Sequence, residues 1–211
     1  MRIGFIGAGN VARTMARHML ANGHEVVISN SRGPETLTDV ISELGAGASA
    51  GTREEVLGTD LVILAVPWGD AQKAVQGLTW NGQILVDAMN AHIGTDVSLE
   101  GVTKSRAELA KAARTSSEIL RDWVPGARLV KSISNMPMEW ISDFSKSKPR
   151  TVLFTSGDDA EAKRFVIDLL NDAGFAALDL GSLATGGAMH EVGAPLSGID
   201  LHFIQRMREP Q

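Results

Sequence analysis

The 211-residue sequence predicts an α/β protein built on a doubly wound, mostly parallel sheet. Three observations lead to this class. The N-terminal stretch has the pattern of a strand, a glycine turn and a helix. Apolar strands then alternate with helical segments of about ten residues, which is typical of β-α-β units. The run at residues 60–66 is almost purely apolar, as expected of a central parallel strand covered on both faces.

A G-x-G-x-x-A pattern at residues 7–12 joins the first predicted strand, Ile3–Ile6, to the first helix. Gly7 permits a tight turn, and Gly9 lets the backbone come close to a pyrophosphate. Ala12 is small enough for the helix to pack against the strand. The N–H groups at the helix start then face the phosphates, helped by the helix dipole. This context predicts a dinucleotide site of the Rossmann type.

The end of the second predicted strand, residues 24–29, indicates which dinucleotide binds. A site for NAD usually carries Asp or Glu here to bind the ribose 2′-hydroxyl, whereas a nearby Arg suits a 2′-phosphate. No carboxylate lies between Ser29 and Pro34, and the sequence offers Ser31 and Arg32 instead. Arg32 carries a planar fork that matches a phosphate, and Ser31 carries a hydroxyl donor. We therefore favour NADP(H); a polar surface turn is the alternative interpretation.

The next helix is predicted to contribute to the same anion site. Pro34 fits the first position of a helix over residues 34–44. The N–H groups of Glu35 and Thr36 have no partner within such a helix and are expected to face the phosphate.

The remaining elements continue the alternation of strands and helices. Strands are predicted at 60–66, 83–87, 127–132, 151–155 and 175–180, and helices at 52–58, 70–75, 105–124, 138–144 and 157–171. Loops are expected at 93–104 and 181–187. In the helix over 157–171, Phe165 and Val166 are expected to face inward with Leu169 and Leu170. A final helical region is expected to hold His190, Leu201 and Phe203.

This pattern predicts one α/β domain over residues 1–211. Residues 1–91 form the dinucleotide-binding core. Residues 127–211 form a C-terminal extension that completes the sheet and the second-substrate side.

Composition excludes several other classes of protein. The chain is 44% hydrophobic and 21% charged, with a net charge of −5 and no run of Lys or Arg, so neither a nucleic acid nor a membrane surface is expected as a partner. No segment approaches the roughly 20 apolar residues of a membrane span. The absence of cysteine removes disulfides and thiolate chemistry and is compatible with a cytoplasmic location.

Ligands of such sheets bind at the carboxyl ends of the strands, which defines the candidate site. The strand ends are Gly7-Ala8-Gly9-Asn10, Ser31-Arg32, Ala65-Val66-Pro67-Trp68, Met89-Asn90 and Ser134-Asn135-Met136-Pro137. The first two groups are expected to hold the adenosine end, the third to run beside the pyrophosphate and the nicotinamide ribose, and the last two to reach the nicotinamide. Trp68 is equally well explained as a core aromatic, and Asn90 and Asn135 as turn residues that satisfy their own backbone.

The chain also lacks common catalytic groups. It has no tyrosine, and its five histidines do not have the spacing of metal ligands, so neither a Tyr-Lys proton donor nor a metal site is predicted. His18 and His24 are expected at the surface, and His190 is expected either to face the active site or to have no role. A hydride can be transferred without a side-chain acid or base when cofactor and acceptor carry the chemistry, as with a flavin or deazaflavin acceptor.

The chain resembles the NADPH-dependent F420 reductases and, more distantly, the Rossmann domain of pyrroline-5-carboxylate reductases. The motifs that carry the resemblance are Ile3–Asn10, Ser31-Arg32, Val66-Pro67-Trp68, Ser116-Ser117-Glu118, Val130–Pro137, Gly157-Asp158-Asp159 and Leu178–Leu183. The resemblance implies direct hydride transfer between NADPH and a deazaflavin, in a homodimer, with no catalytic side chain. It implies NADP contacts at Gly9, Asn10, Val11, Ser31, Arg32, Trp68 and the region of Pro137.

Three functions remain open at this point. The first is an NADP(H)-dependent oxidoreductase that acts on F420 or a flavin. The second is a reductase of a small imine or keto compound, and the third is a non-enzymatic NADP-sensing module. Two departures from the F420 reductase pattern bear on the choice. Thr36 stands where that family can have a basic residue, and Ser134-Asn135 stands where it can place a histidine beside the deazaflavin.

Overall fold

A mixed sheet forms the centre of the computed structural model, which describes residues 1–91, 111–142 and 149–204. The strands are β1 (Arg2–Ile6), β2 (Glu25–Ser29), β3 (Ala48–Ala50), β4 (Leu61–Leu64), β5 (Ile84–Asp87), β6 (Arg128–Ser132), β7 (Arg150–Gly157), β8 (Ala176–Asp179) and β9 (His202–Phe203).

Helices cover both faces of this sheet. They are α1 (Asn10–Ala21), α2 (Thr38–Leu44), α3 (Arg53–Leu57), α4 (Trp68–Val75), α5 (Ser116–Trp123), α6 (Ala160–Asp172) and the single turn α7 (Ala188–His190). Two 3-10 turns lie at Pro34–Leu37 and Met138–Ile141, and a π-helical turn lies at Leu183–Gly187.

The strand order is β3-β2-β1-β4-β5-β6-β7-β8, and β9 pairs separately with β7. All pairs from β3 to β6 are parallel, β6 and β7 are antiparallel, and β7 and β8 are parallel. Chain order reverses between β1 and β4, which creates a crevice at the carboxyl ends of these two strands. The predicted doubly wound, mostly parallel fold is confirmed.

Two apolar layers hold the helices on the sheet. On one face, α1, α2 and α6 pack on side chains such as Phe5, Ile28 and Ile63, which are at most 1% exposed. On the other face, α3, α4 and α5 pack on side chains such as Val62 and Leu85. Because both faces are covered, the central strand β4 is apolar along its whole length, as is typical of parallel strands.

Three predicted segments differ from the structure. The helix over residues 34–44 divides into a 3-10 turn and α2, which starts only at Thr38. The predicted loop at 181–187 contains the π-helical turn. The final helical region is wrong beyond His190, because Gly193 and Gly198 adopt positive φ angles of 72° and 70° and the chain turns until β9. The loop predicted at 93–104 lies outside the described residues.

Two predicted exposures are also wrong. Phe165 is 36% exposed, because it lies beside rather than within the buried stripe of Val166, Leu169 and Leu170 on α6. His18 is 6% exposed, because residues 138–141 pack over α1 and place the Ile141 carbonyl oxygen 2.6 Å from His18 Nε2. Burial lowers the pKa of His18, and its hydrogen bond to the Ile141 backbone partly opposes that shift.

Candidate active site

The glycine turn occupies the crevice between β1 and β4. Gly7 has a φ of 118°, and a Cβ there would lie 2.1 Å from the Ala65 carbonyl oxygen, so the close approach of the two strand ends requires glycine. Its N–H donates to the Ser29 carbonyl at 2.9 Å. Gly7 is therefore required by the fold itself.

Gly9 serves a different purpose. It precedes α1 with an ordinary φ of −80°, no side chain caps the helix, and a Cβ there would meet no atom within 4 Å. The first N–H groups of α1 have no partner within the helix and point into this space. The space and the helix start fit a pyrophosphate, because bare N–H groups and the positive end of the helix dipole favour an anion.

A second segment reaches the same turn from the C-terminal half of the chain. Asn10 Nδ2 donates to Glu139 Oε1 at 3.0 Å, which ties α1 to the 3-10 turn at Met138–Ile141. Pro137 precedes this turn and is exposed. The structure thus brings Asn10 and the region of Pro137 together, as the strand-end rule predicts.

The turn after β2 holds an exposed arginine. Among the described residues, Arg32 has no carboxylate within ion-pair distance, so its guanidinium is available to a phosphate. Asn30 orders the turn, since its Oδ1 accepts from the Arg32 N–H at 2.9 Å and its Nδ2 donates to Thr36 Oγ1 at 2.8 Å. Sequence reasoning missed this role of Asn30, which stands directly after the strand.

Thr36 differs from the prediction. Its N–H donates to the Gly33 carbonyl at 3.2 Å, and its hydroxyl donates to the same oxygen at 2.8 Å. The expectation of an N–H left for the phosphate is therefore wrong, because the tight 3-10 turn uses that donor internally. Thr36 orders the turn beside Arg32 instead.

The end of β4 leads into α4 through Ala65, Val66 and Pro67. Trp68 is half-buried at the start of α4, and its ring lies 5.3 Å from that of Trp123 on α5, with an angle of 34° between the planes. Both rings belong to the apolar layer on this face of the sheet. This packing is what the core interpretation of Trp68 expects.

A buried polar cluster lies behind the end of β5. Asp87 and Lys131 are both 0% exposed, with 3.5 Å between Lys131 Nζ and Asp87 Oδ2. Ser117 Oγ donates to the same carboxylate at 2.6 Å. Sequence reasoning missed this pair, because Asp87 and Lys131 lie on adjacent strands that are far apart in sequence.

Asn90 and Asn135 do not satisfy their own backbone. Asn90 Oδ1 is buried and has no hydrogen-bond partner in the described part of the chain. Asn135 is 1% exposed and binds other segments, with its Oδ1 3.5 Å from the Phe154 nitrogen and its backbone carbonyl 2.7 Å from the Gly198 nitrogen. The turn begins at Ile133, whose φ of 63° is rare for a β-branched residue.

His190 is fully buried and does not line an open site. Its Nε2 lies 3.0 Å from Ser156 Oγ. Burial, and next the charge of Lys131, lower the pKa of His190 to about 3, so the imidazole is neutral at neutral pH. The ring is thus held inside the protein, against Ser156 and Phe154.

Two further properties concern the described residues. No group of three His, Asp or Glu side chains there converges closely enough to hold a metal ion. None of the helices there combines the length and the apolar character that crossing a membrane would require.

The fold and the glycine turn define a dinucleotide-binding protein of the Rossmann class. Residues 2–91 match the family model described as NADP oxidoreductase coenzyme F420-dependent. A hypothetical protein, SMa0349 from Sinorhizobium meliloti, is 35% identical, with a TM-score of 0.83 and 97% of each chain covered. The chain belongs to the same family as SMa0349, and its residues 2–91 are similar to this family of NADP oxidoreductases.

Two other proteins are similar to this chain. A candidate F420-dependent NADP reductase from Arthrobacter sp. FB24 is 27% identical, with a TM-score of 0.66 and 86% and 85% of the two chains covered. The metalloreductase STEAP3 of Rattus norvegicus is 25% identical over 186 residues. That match covers 87% of this chain but 34% of STEAP3, so the chain spans about a third of the curated relative's length.

Proposed function

We propose that this enzyme transfers a hydride directly between NADPH and a deazaflavin of the F420 kind, or a flavin, without a side-chain acid or base. One observation carries this proposal. Asp87 on β5, Lys131 on β6 and His190 on α7 are each 0% exposed and hydrogen-bonded within the protein, so none of these titratable groups is expected to reach a substrate. An acceptor whose own ring accommodates the hydride needs no such group.

The chain's own residues hold and orient the cofactor in this proposal. Gly7 and Gly9 form the turn, and the N–H groups at Asn10 and Val11 face the pyrophosphate. Ser31 and Arg32 bind the 2′-phosphate, for which the exposed guanidinium is suited by charge and planar shape. NADPH supplies the hydride when bound.

The other half of the site receives the nicotinamide and the acceptor. Ala65, Val66, Pro67 and Trp68 run beside the nicotinamide ribose, and Asn90 and the region of Pro137 reach the nicotinamide ring. These positions follow from the shared edge of the sheet. The packing of Trp68 on Trp123 supports a role for Trp68 in shaping the wall of the site rather than in forming a hydrogen bond.

We also propose a homodimer located in the cytoplasm. The dimer rests on the resemblance to F420 reductases, and the location rests on the cysteine-free sequence. Sedimentation velocity at micromolar concentration is expected to give a species of twice the chain's 22.4 kDa mass. A monomer under these conditions contradicts the dimer.

The acceptor is tested by following NADPH oxidation with F420, FMN, FAD and a small cyclic imine in parallel. We expect turnover with F420 or a flavin and none with the imine. Turnover with the imine alone contradicts the proposal and moves the function to small-molecule reduction. Tight NADPH binding without turnover on any acceptor favours an NADP-sensing module.

A further inference from the structure

The ion pair between Asp87 and Lys131 is costly to bury. Both side chains are 0% exposed, and Ser117 Oγ supplies one more hydrogen bond to the carboxylate. Replacing such a pair by apolar side chains of similar volume often leaves a protein equally stable or more so. The contribution of the pair to stability is therefore a weak explanation for its presence.

The pair holds both polar groups of one peptide residue at the edge of the site. The Met89 N–H donates to Asp87 Oδ1 at 3.0 Å, and the Met89 carbonyl accepts from Lys131 Nζ at 3.1 Å. Opposite charges thus bind the donor and the acceptor of the same residue. Charge-assisted bonds of this kind are stronger than neutral ones, so they fix the direction in which the chain leaves β5.

Lys131 is held in place from its other side. A Cβ at Gly187 would lie 3.9 Å from Lys131 Cδ, so the backbone of the π-helical turn packs against the lysine stem. The ammonium group consequently points toward Met89 and Asp87.

Asn90 follows Met89 directly. Its Oδ1 is buried and finds no partner in residues 1–91, 111–142 and 149–204. A buried amide oxygen without a donor is uncommon and unfavourable, which indicates that the donor comes from a ligand.

We propose that Asp87 and Lys131 are positioning residues that direct Asn90 Oδ1 toward a hydrogen-bond donor on the nicotinamide half of the cofactor. The donor is either the carboxamide N–H or a ribose hydroxyl. This inference rests on the proposed function, because it takes the end of β5 as the nicotinamide end of the site. It assigns a binding role to two charges that touch neither cofactor nor substrate.

Equilibrium binding of two ligands tests the proposal. NADPH carries the nicotinamide half, whereas adenosine 2′,5′-bisphosphate carries only the other half. Lys131→Met is expected to weaken NADPH roughly three- to tenfold, the effect of losing one hydrogen bond, and to leave the bisphosphate unchanged. Asn90→Ala is expected to do the same. The double variant is expected to bind NADPH no more weakly than either single variant, because both changes remove one interaction.

A merely structural role for the pair predicts a different result. In that case Lys131→Met weakens the binding of both ligands alike, leaves both affinities unchanged, or adds its effect on NADPH affinity to that of Asn90→Ala. Each of these results overturns the proposal. Thr59→Ala is the matched control, because it also removes a buried hydrogen bond. That bond joins the Thr59 hydroxyl to the Val56 carbonyl at 2.7 Å, and Thr59 lies just before the amino end of β4.

Ser117→Ala carries the test if the lysine variant does not fold. It keeps both charges and removes one bond to Asp87, so we expect about a twofold loss of NADPH affinity with the bisphosphate unaffected. Unchanged NADPH affinity in this variant overturns the proposal. A wild-type chain that binds neither ligand contradicts the proposed function itself.

The nature of the donor is tested with the 3-acetylpyridine analogue of NADP⁺, which lacks the carboxamide N–H. If that N–H is the donor, Asn90→Ala weakens NADP⁺ but not the analogue. Equal weakening of both assigns the donor to the ribose hydroxyl. No effect on either ligand overturns the assignment of Asn90.

Discussion

At the scale of single residues, Gly7 and Gly9 show one residue type used for two different reasons. Gly7 is glycine because the protein itself leaves no room for a Cβ and holds a positive φ. Gly9 has room for a Cβ within the protein, so the fold does not require glycine there, and the open space lies where we propose that the pyrophosphate binds.

This difference gives a first prediction. Gly9→Val is expected to abolish binding of both NADPH and NADH, because the side chain fills the space in front of α1, while the thermal transition stays close to that of the wild type. Gly7→Val is expected to destabilise or unfold the protein, because its Cβ would clash with the Ala65 carbonyl. Calorimetry and fluorescence titration measure the two effects. Tight NADPH binding by Gly9→Val contradicts the placement of the pyrophosphate.

Arg32 sets the second prediction. Arg32→Ala is expected to weaken NADPH by about 1.5–3 kcal/mol, the value of a charged hydrogen bond, and to leave NADH nearly unchanged. Arg164→Ala is the matched control, because Arg164 is equally a surface arginine, 84% exposed on α6. Titration of each variant with both cofactors gives the four affinities. An equal loss for NADPH and NADH contradicts the assignment of Arg32 to the 2′-phosphate.

His190 gives a prediction about pH. The folded state lowers the pKa of His190 from 6.5 to about 3, so between these values the unfolded chain binds more protons. Stability is therefore expected to fall as the pH drops through this window, by up to about 1.4 kcal/mol per pH unit. The buried His18, whose pKa is also lowered, adds to this slope. His190→Gln is expected to reduce the slope between pH 7 and pH 5 in urea unfolding, and an unchanged slope contradicts a neutral buried imidazole.

At the scale of elements, Asp159 joins the start of α6 to β6. Its Oδ1 accepts from the Ala162 N–H at 2.9 Å, and its two oxygens accept from the Arg128 fork at 2.7 and 2.9 Å. The Arg128 guanidinium, foremost among several donors, holds the pKa of Asp159 well below its usual range. This helix therefore carries both a cap and an anchor at its N-terminus.

The fourth prediction follows from this anchor. Asp159→Ala is expected to lower the free energy of unfolding by about 1–3 kcal/mol, because it removes the cap and leaves Arg128 without its bidentate partner. Asp168→Ala, on the same helix, removes a weak exposed pair and is expected to cost about 0.5 kcal/mol or less. Chemical unfolding at neutral pH measures both, and equal losses contradict the role of the cap.

The elements also show where sequence reasoning succeeds. The helix predicted over residues 52–58, the glycine turn and the apolar run of β4 depend on local patterns, and each lies where the sequence predicts it. The C-terminal segments depend on distant contacts. The pairing of β9 with β7 and the burial of His18 under residues 138–141 follow from packing that no short pattern encodes.

At the scale of the whole molecule, the sequence predicts the edge of the sheet on which the site lies but not how its polar groups are arranged. The strand-end rule brings the glycine turn, the Arg32 turn and the end of β5 to one edge. The pairing of Asp87 with Lys131 becomes visible only in three dimensions, because these residues lie on adjacent strands that are far apart in sequence. The burial of Asn135, which contacts Phe154 and Gly198, also depends on residues that are distant in sequence.

The central claim is direct transfer of a hydride between NADPH and an acceptor whose own ring accommodates it. The most direct test uses NADPH carrying deuterium on one face of C4, with F420 as acceptor and mass spectrometry of the reduced deazaflavin. We expect deuterium from one of the two stereoisomers to appear at a carbon of the deazaflavin, with none released to water. Turnover that releases the label to solvent, or no turnover with F420 or any flavin, contradicts the claim.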